Sequence, residues 1–300
     1  MHNQNMIRIQ RLGLSVVLTI ILFFLMTAFS QAGTDKSHGL LWEVSKPGTP
    51  SSYLFGTIHS EDPEVVQLAR QVQEAFDASR SVVLEMLMDM DAMIYSSTAM
   101  LMADDRSLSD LLGRPLFTQA VAAIQTRGIP EIVLERMKPW AVAVTLSMPV
   151  PETGQVLDIV LYQEALQDGK QVYGLETIRE QLDVFELMPM ADQLELLKDA
   201  LASFPEIDAM HAELLTAYKQ RDLAGLMAIN EASMQAGNQR LAEDFQQRLI
   251  IDRNLRMFER MQQYLQQGRV FVAVGALHLP GKDGLLQLLE QGGYTIKRVY

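Results

Sequence analysis

Two histidines in matching short motifs are the residues of this chain best suited to bind a metal ion. His59 closes Gly56-Thr57-Ile58-His59 and His278 closes Gly275-Ala276-Leu277-His278; each motif joins an apolar run to a following helical pattern. Glycine is 18 of 300 residues, so its repetition three positions before two histidines is improbable by chance. Neutral imidazole is a common ligand of Zn, Mn, Co and Fe(II). We therefore predict that His59 and His278 share one divalent cation.

Two carboxylates occupy equivalent positions at the ends of other apolar runs. Ser81–Glu85 ends in Glu85, and Gln171–Glu176 ends in Glu176. Ligand sites in open α/β sheets collect beyond the carboxyl ends of the strands, so these acids are expected beside the histidines. We predict Glu85 as a metal ligand and Glu176 as general base and then acid; the two roles are exchangeable on sequence alone. The structural alternative is that each histidine merely caps a helix or bonds a carbonyl in the core.

Arg253 is a basic residue on an otherwise apolar helix stripe. Leu249 and Ile250 precede it by four and three residues, and Met257 follows by four, which is helical spacing. A buried guanidinium requires a carboxylate or an anionic ligand. Two interpretations therefore stay open: a structural ion pair, for instance with Glu85, or a group that binds an oxyanion or a substrate carboxylate.

Composition narrows the ligands and partners. The chain has no cysteine, so a metal would be held by His, Asp and Glu, without thiolate. The 37 acidic residues outnumber the 25 basic ones and give a net charge of −12. This balance argues against nucleic acid and anionic membrane surfaces as partners.

Residues 1–32 have the layout of a secretory signal peptide. Arg8 and Arg11 precede the apolar run Leu12–Phe29, and Ser30-Gln31-Ala32 places small residues at a cleavage site. We expect a periplasmic or secreted protein. An inner-membrane anchor formed by the same run is the alternative, because 18 apolar residues nearly span a bilayer. Any contact with a membrane is expected only through this leader.

The elements that must position the site alternate between strand and helix patterns. We predict a hairpin of Leu41–Val44 and Ser52–Phe55, a helix from Asp62, strands at 81–85, 171–176, 269–274 and 294–300, helical stretches at 90–167 and 177–267, and a last helix over 281–291. This order predicts one α/β (α+β) domain over residues 33–300, with a mixed sheet flanked by helices. A large helical insert would separate the two Gly-x-x-His half-sites.

The chain resembles the TraB/GumN/Tiki family. The matching segments are Tyr53–His59, Val82–Glu85, Gly174–Thr177 with Glu180-Gln181, Arg253-Asn254, and Val274–Gly281 through Gly293-Tyr294. The resemblance implies a Tiki-like fold related to erythromycin-esterase-type proteins. For animal Tiki members it implies divalent-metal-dependent peptidase activity that relies on the paired Gly-x-x-His motifs with acidic and arginine partners.

Carried over to this chain, the resemblance implies metal-site histidines at His59 and His278, candidate acids at Glu85 and Glu176, and a basic partner at Arg253. Bacterial members include inhibitors of peptide pheromone, so membership settles neither substrate nor activity. Our leading hypothesis is an exported peptidase that uses Mn, Co or Zn and acts on a peptide or a small extracytoplasmic substrate. The alternatives are a non-catalytic periplasmic binder of peptide, metal or haem, and a structural envelope protein.

Overall fold

A six-stranded mixed sheet lies at the centre of the protein. The computed structural model describes residues 35–235 and 238–300, so the predicted leader at 1–32 lies outside the described residues. The sheet order is β4-β3-β5-β2-β1-β6. The strands are β1 (Leu41–Lys46), β2 (Thr49–Thr57), β3 (Ser81–Leu84), β4 (Gln171–Gly174), β5 (Val270–Gly275) and β6 (Thr295–Arg298).

Strand direction decides where the site forms. β2, β5, β3 and β4 are mutually parallel neighbours, whereas β1 runs antiparallel to both β2 and β6. The carboxyl ends of the four parallel strands therefore meet at one edge of the sheet. Every predicted strand is present, and the predicted mixed α/β fold with flanking helices is confirmed.

The apolar character of β5 explains its central position. Residues Val270–Val274 are all buried, as a continuous apolar run requires when both faces of a strand are covered. Phe271 meets Phe76 edge-on at 5.4 Å between ring centroids and lies 5.7 Å from Phe55. Such contacts fix the packing of β5 against a neighbouring strand and a covering helix.

Helices fill the chain between the strands. They are α1 (Pro63–Val66), α2 (Arg70–Ala78), α3 (Met90–Ala99), α4 (Leu108–Leu112), α5 (Arg114–Gln125), α6 (Glu131–Leu134), α7 (Pro139–Ser147), α8 (Leu157–Gln167), α9 (Ile178–Glu186), α10 (Met190–Ser203), α11 (Ile207–Lys219), α12 (Leu223–Gln235), α13 (Gln239–Gln246), α14 (Asp252–Leu265) and α15 (Leu285–Gln291). The predicted insert between the two half-sites is mainly helical, but it also contributes β3 and β4 to the sheet.

The helical insert has an apolar core of its own. Leu108, Ile124 and Leu197 are fully buried there, away from the cluster that covers the sheet. Trp140 stacks on Phe185 at 5.4 Å between ring centroids. In the described part of the chain, 35–235 and 238–300, no helix is long and apolar enough to cross a membrane.

Two predicted helices differ from the structure. The helix expected from Asp62 is two helices, because Gln67 and Ala69 adopt extended backbone between α1 and α2. The last helix begins at Leu285 rather than near Gly281. Gly281 has φ +89°, a left-handed conformation that a right-handed helix cannot include, so the chain turns before α15 starts.

A capping box begins α9, and its glutamate also binds an arginine of α14. Glu180 accepts hydrogen bonds from the backbone N–H and hydroxyl of Thr177, whose hydroxyl oxygen accepts from the Glu180 N–H. Arg260 on α14 donates to both oxygens of Glu180, at 2.7 and 2.9 Å. These bonds from Arg260 overcome the cost of burial and lower the pKa of Glu180 from 4.5 to about 2.

Glu180→Gln is expected to lower the free energy of unfolding at pH 7 by about 1 kcal/mol, because it removes an ionised cap that is partly exposed. A carboxylate with a depressed folded-state pKa stabilises the protein above its unfolded pKa, here 4.5, and this contribution disappears as the pH falls toward about 2. Urea unfolding across pH 7 to 2 should show the two proteins converging.

The control is Glu195→Gln, which removes an exposed i,i+3 pair with Lys198. It should change stability by only a few tenths of a kcal/mol at most. A gap between wild type and Glu180→Gln that stays constant with pH would contradict the prediction.

Candidate active site

All four predicted site residues at strand ends lie at the same edge of the sheet. In the order of the strands they are Glu176 after β4, Glu85 after β3, His278 after β5 and His59 after β2. Glu176, Glu85 and His278 join one contact network, together with Arg253 from α14. His59, at the β2 end of this row, is exposed.

His278 and Glu85 are placed as two ligands of one ion would be. His278 Nε2 lies 3.6 Å from Glu85 Oε1, too long for a hydrogen bond. Two ligands at roughly 2.0–2.2 Å from a tetrahedral metal lie about 3.4 Å apart, so the pair fits a shared cation. Within residues 35–235 and 238–300 no three His, Asp or Glu side chains are grouped as a metal site. The structure therefore brings His278 and Glu85 together, and His59 is not grouped with them.

Asn254 fixes the orientation and protonation of the His278 ring. Its amide nitrogen donates to the Asp283 carbonyl at 2.8 Å, which leaves Oδ1 as the acceptor for His278 Nδ1 at 2.7 Å. Nδ1 must then carry the proton, so in the neutral ring the lone pair is on Nε2, the atom that faces Glu85. Burial lowers the pKa of His278 below 6.5 and favours this neutral form.

Glu85 is held ionised by donors on three sides. Its Oε1 accepts the Gly275 N–H at 2.7 Å, and its Oε2 accepts from Arg253 at 2.6 Å and from Gln181 at 3.2 Å. Burial alone would raise the pKa of Glu85, but attraction to His278 and Arg253 together with these bonds lowers it to about 2. Where His278 is neutral, Arg253 and the Gly275 N–H still stabilise the carboxylate.

Glu176 lies behind Glu85 and is fully enclosed by arginines. Its side chain has no exposed surface; Oε2 accepts from Arg253 Nε at 2.8 Å and Oε1 from Arg256 at 2.8 Å. The predicted ion pair between Arg253 and Glu85 is present, and Arg253 bridges the two acids. With both oxygens bound to guanidinium groups, the geometry favours Glu176 as the residue that orients Arg253 rather than as a proton carrier.

The two motif glycines allow close approach rather than a tight turn. Neither Gly56 nor Gly275 has a positive φ. A Cβ on Gly56 would lie 2.7 Å from Leu279 Cδ1 and 3.1 Å from Ala276 Cα, and one on Gly275 would lie 3.2 Å from Glu85 Oε1. The first glycine thus lets the two motifs pack together, and the second lets Glu85 reach the backbone N–H.

The sequence analysis did not single out Asp158. Thr57, two residues before His59, donates its hydroxyl proton to Asp158 Oδ1 at 2.8 Å. Burial and repulsion from Glu85 raise the pKa of Asp158, against the hydrogen bond from Thr57 and attraction from His59. The feature of the sequence that could have indicated Asp158 is its place at the start of α8, next to the buried Leu157.

The roles of Asn254 and Gln181 in the site could be recognised only from tertiary contacts. Asn254 and Gln181 stood in the segments that carry the family resemblance, but only the contacts above give them a role. A π-helical turn, Gln247–Ile251, immediately precedes α14, and the first turn of α14 buries both Arg253 and Asn254. Such turns are rare and often lie at functional sites.

Comparison with known proteins identifies the family of the chain. The model of the TraB/PrgY/gumN family matches residues 40–298. The chain belongs to the TraB/PrgY/gumN family. This confirms the resemblance derived from the motifs.

The curated relatives of the chain are named metalloproteases. It is 26% identical to "Metalloprotease TIKI2" of Danio rerio, over 87% of this chain and 61% of that protein. It is 23% identical to "Metalloprotease TIKI1" of Homo sapiens, over 88% of this chain and 62% of that protein. The chain thus spans about three-fifths of the length of these relatives. No solved structure matches.

Gly56→Ala is expected to destabilise the protein by about 1–3 kcal/mol, because the new methyl group overlaps Leu279 and the Ala276 backbone. The double variant Gly56→Ala/Leu279→Ala should lose less stability than the sum of the two single losses, since it removes the shortest contact. Thermal and urea unfolding measure all three variants. Strict additivity of the losses would contradict the proposed contact between the motifs.

Proposed function

We propose that this protein is an exported hydrolase that depends on a divalent metal and acts on peptides. The observation that carries the proposal is the pairing of His278 Nε2 with Glu85 Oε1 at 3.6 Å, at the edge where four parallel strands end. The names of the curated relatives as metalloproteases support the same reaction class. Export rests on the leader pattern of residues 1–32.

His278 and Glu85 would hold the metal. His59, on the adjacent strand β2, stands apart from this pair in the structure and would become a third ligand only by moving toward it. A divalent ion such as Mn, Co or Zn supplies Lewis acidity at such a site. Asn254 keeps the lone pair of the neutral His278 ring on Nε2, and Arg253 keeps Glu85 ionised, so both ligands are preset for a cation.

Arg253 is the group that would stabilise negative charge developing on the substrate carbonyl oxygen. Its Nε and Nη2 are bound to the two carboxylates, which leaves Nη1 for a substrate oxygen. Glu176 holds the guanidinium in place. Asp158 fits the role of proton acceptor better than Glu176, since both oxygens of Glu176 are bound to arginines, whereas the side-chain donor to Asp158 is the neutral hydroxyl of Thr57.

Metal analysis and a peptide library test the proposal together. The purified protein is expected to bind one divalent ion and to cleave some peptides when supplied with Mn, Co or Zn. His278→Ala and His59→Ala should both abolish cleavage and reduce bound metal. His211→Ala is the matched control, because that ring is hydrogen-bonded to the Ser147 carbonyl in the helical insert and is not one of the strand-end residues.

Cleavage that survives in both histidine variants, or metal content equal to wild type in both, would overturn the metal assignment. Saturable binding of peptides without products would identify the protein as a binder instead. Absence of bound metal, with unchanged thermal stability when metal is added, would favour a structural role.

Paired substitutions separate the roles of the acids. Asp158→Asn is expected to lower kcat by about 10²- to 10⁴-fold with thermal stability and metal content preserved. Glu176→Gln is expected to cost about 3–5 kcal/mol of stability, because Arg253 and Arg256 lose a buried partner. Full activity in Asp158→Asn would remove it from the mechanism, and an undiminished stability of Glu176→Gln would contradict its anchoring role.

A further inference from the structure

A cavity of about 500 Å³ opens directly beside His59. One wall is the turn that leaves β2, His59–Pro63, and the opposite wall is the loop Met148–Glu152 that joins α7 to α8. The volume lies within the range of natural ligand pockets. The exposed imidazole of His59 is the one strand-end residue of the candidate site that belongs to the lining of this cavity.

The loop wall is held in place by one carboxylate, that of Glu61. Its oxygens accept four hydrogen bonds, from the backbone N–H groups of Glu152, Thr153 and Gly154 at 3.2, 2.7 and 2.9 Å, and from the Thr153 hydroxyl at 2.8 Å. These bonds, those from Thr153 foremost, lower the pKa of Glu61. A surface carboxylate that accepts three successive N–H groups fixes the loop conformation far better than a single ion pair would.

The polarity of the residues that line the cavity indicates which kind of side chain it could bind. Met148, Pro149, Val150 and Pro151 present apolar surface, and Val150 is 52% exposed although it stands beside the site. Three acids line the cavity: Glu61 accepts the loop N–H groups, Asp62 pairs with Lys219 at 2.8 Å, and Glu152 is exposed on the loop. The four consecutive apolar residues of the loop wall are the feature that favours an apolar occupant.

We propose that Glu61 is a positioning residue that fixes the 148–154 loop as the wall of a specificity pocket. The pocket would receive an apolar side chain of an extended peptide, next to the bond that is cleaved at the metal centre. This inference rests on the proposed function for its peptide substrate. The mechanism assigned above to His278, Glu85 and Arg253 does not depend on it.

Binding of labelled peptides that differ at one position tests the pocket independently of turnover. Peptides with Leu, Lys or Gly beside the expected cleavage position are titrated against the purified protein and followed by fluorescence anisotropy. The Leu peptide is expected to bind roughly 10- to 100-fold more tightly than the Gly peptide, the gain typical of burying one aliphatic side chain. Glu61→Gln and Val150→Asp should each reduce this preference to less than about threefold.

Two readouts distinguish positioning from general destabilisation. In Glu61→Gln the backbone amides of residues 152–154 should exchange hydrogen faster, whereas amides of the sheet should not. If peptides are cleaved, KM for the Leu peptide should rise in this variant while kcat stays within about twofold. Glu64→Gln is the matched control, since Glu64 follows three residues later, pairs with Lys219 and does not line the cavity.

Equal binding of the Leu and Gly peptides by wild type would overturn the pocket, as would an unchanged preference in both variants. Tightest binding of the Lys peptide would show that the pocket takes a cationic side chain and would overturn the apolar assignment. A clear preference for Leu without cleavage would refute the peptidase but leave the pocket intact. Normal cleavage without any preference would do the reverse.

Discussion

The chain of charges Glu85–Arg253–Glu176 is the interaction on which the rest of the site depends. Three ionised side chains, each buried or partly buried at the carboxyl edge of the sheet, are stable there only because each satisfies another. Arg253 can reach both acids since β3 and β4 are adjacent and parallel. The same pairing holds Glu85 ionised beside His278.

Around this network, ordinary backbone groups do much of the positioning. The Gly275 N–H binds Glu85, the Asp283 carbonyl orients Asn254, and Asn254 in turn sets the His278 ring. These contacts require the second Gly-x-x-His motif, the first turn of α14 and the end of β3 to meet within a few ångströms. The second Gly-x-x-His motif thus supplies close packing and a backbone donor in addition to the His278 side chain.

Besides forming its own apolar core, the helical insert contributes residues to the candidate site. It supplies Asp158 to the strand end through Thr57, and its loop closes one side of the cavity beside His59 through Glu61. His59 is exposed and lines this cavity, whereas the side chain of Glu176, at the other end of the row, has no exposed surface. The two ends of the row of strand-end residues therefore differ in kind, one structural and one accessible.

The sequence by itself determined the strands, the mixed α/β class and the set of strand-end residues, because apolar runs that end in an ionisable group are local patterns. It also indicated the family, which the family match over residues 40–298 confirms. Only the tertiary structure decided which of these residues touch. Both oxygens of Glu176 are bound to arginines, and His59 stands apart from the His278–Glu85 pair. Both facts follow from strand order and helix packing. Asp158 was invisible for the same reason: its partner Thr57 is 101 positions away.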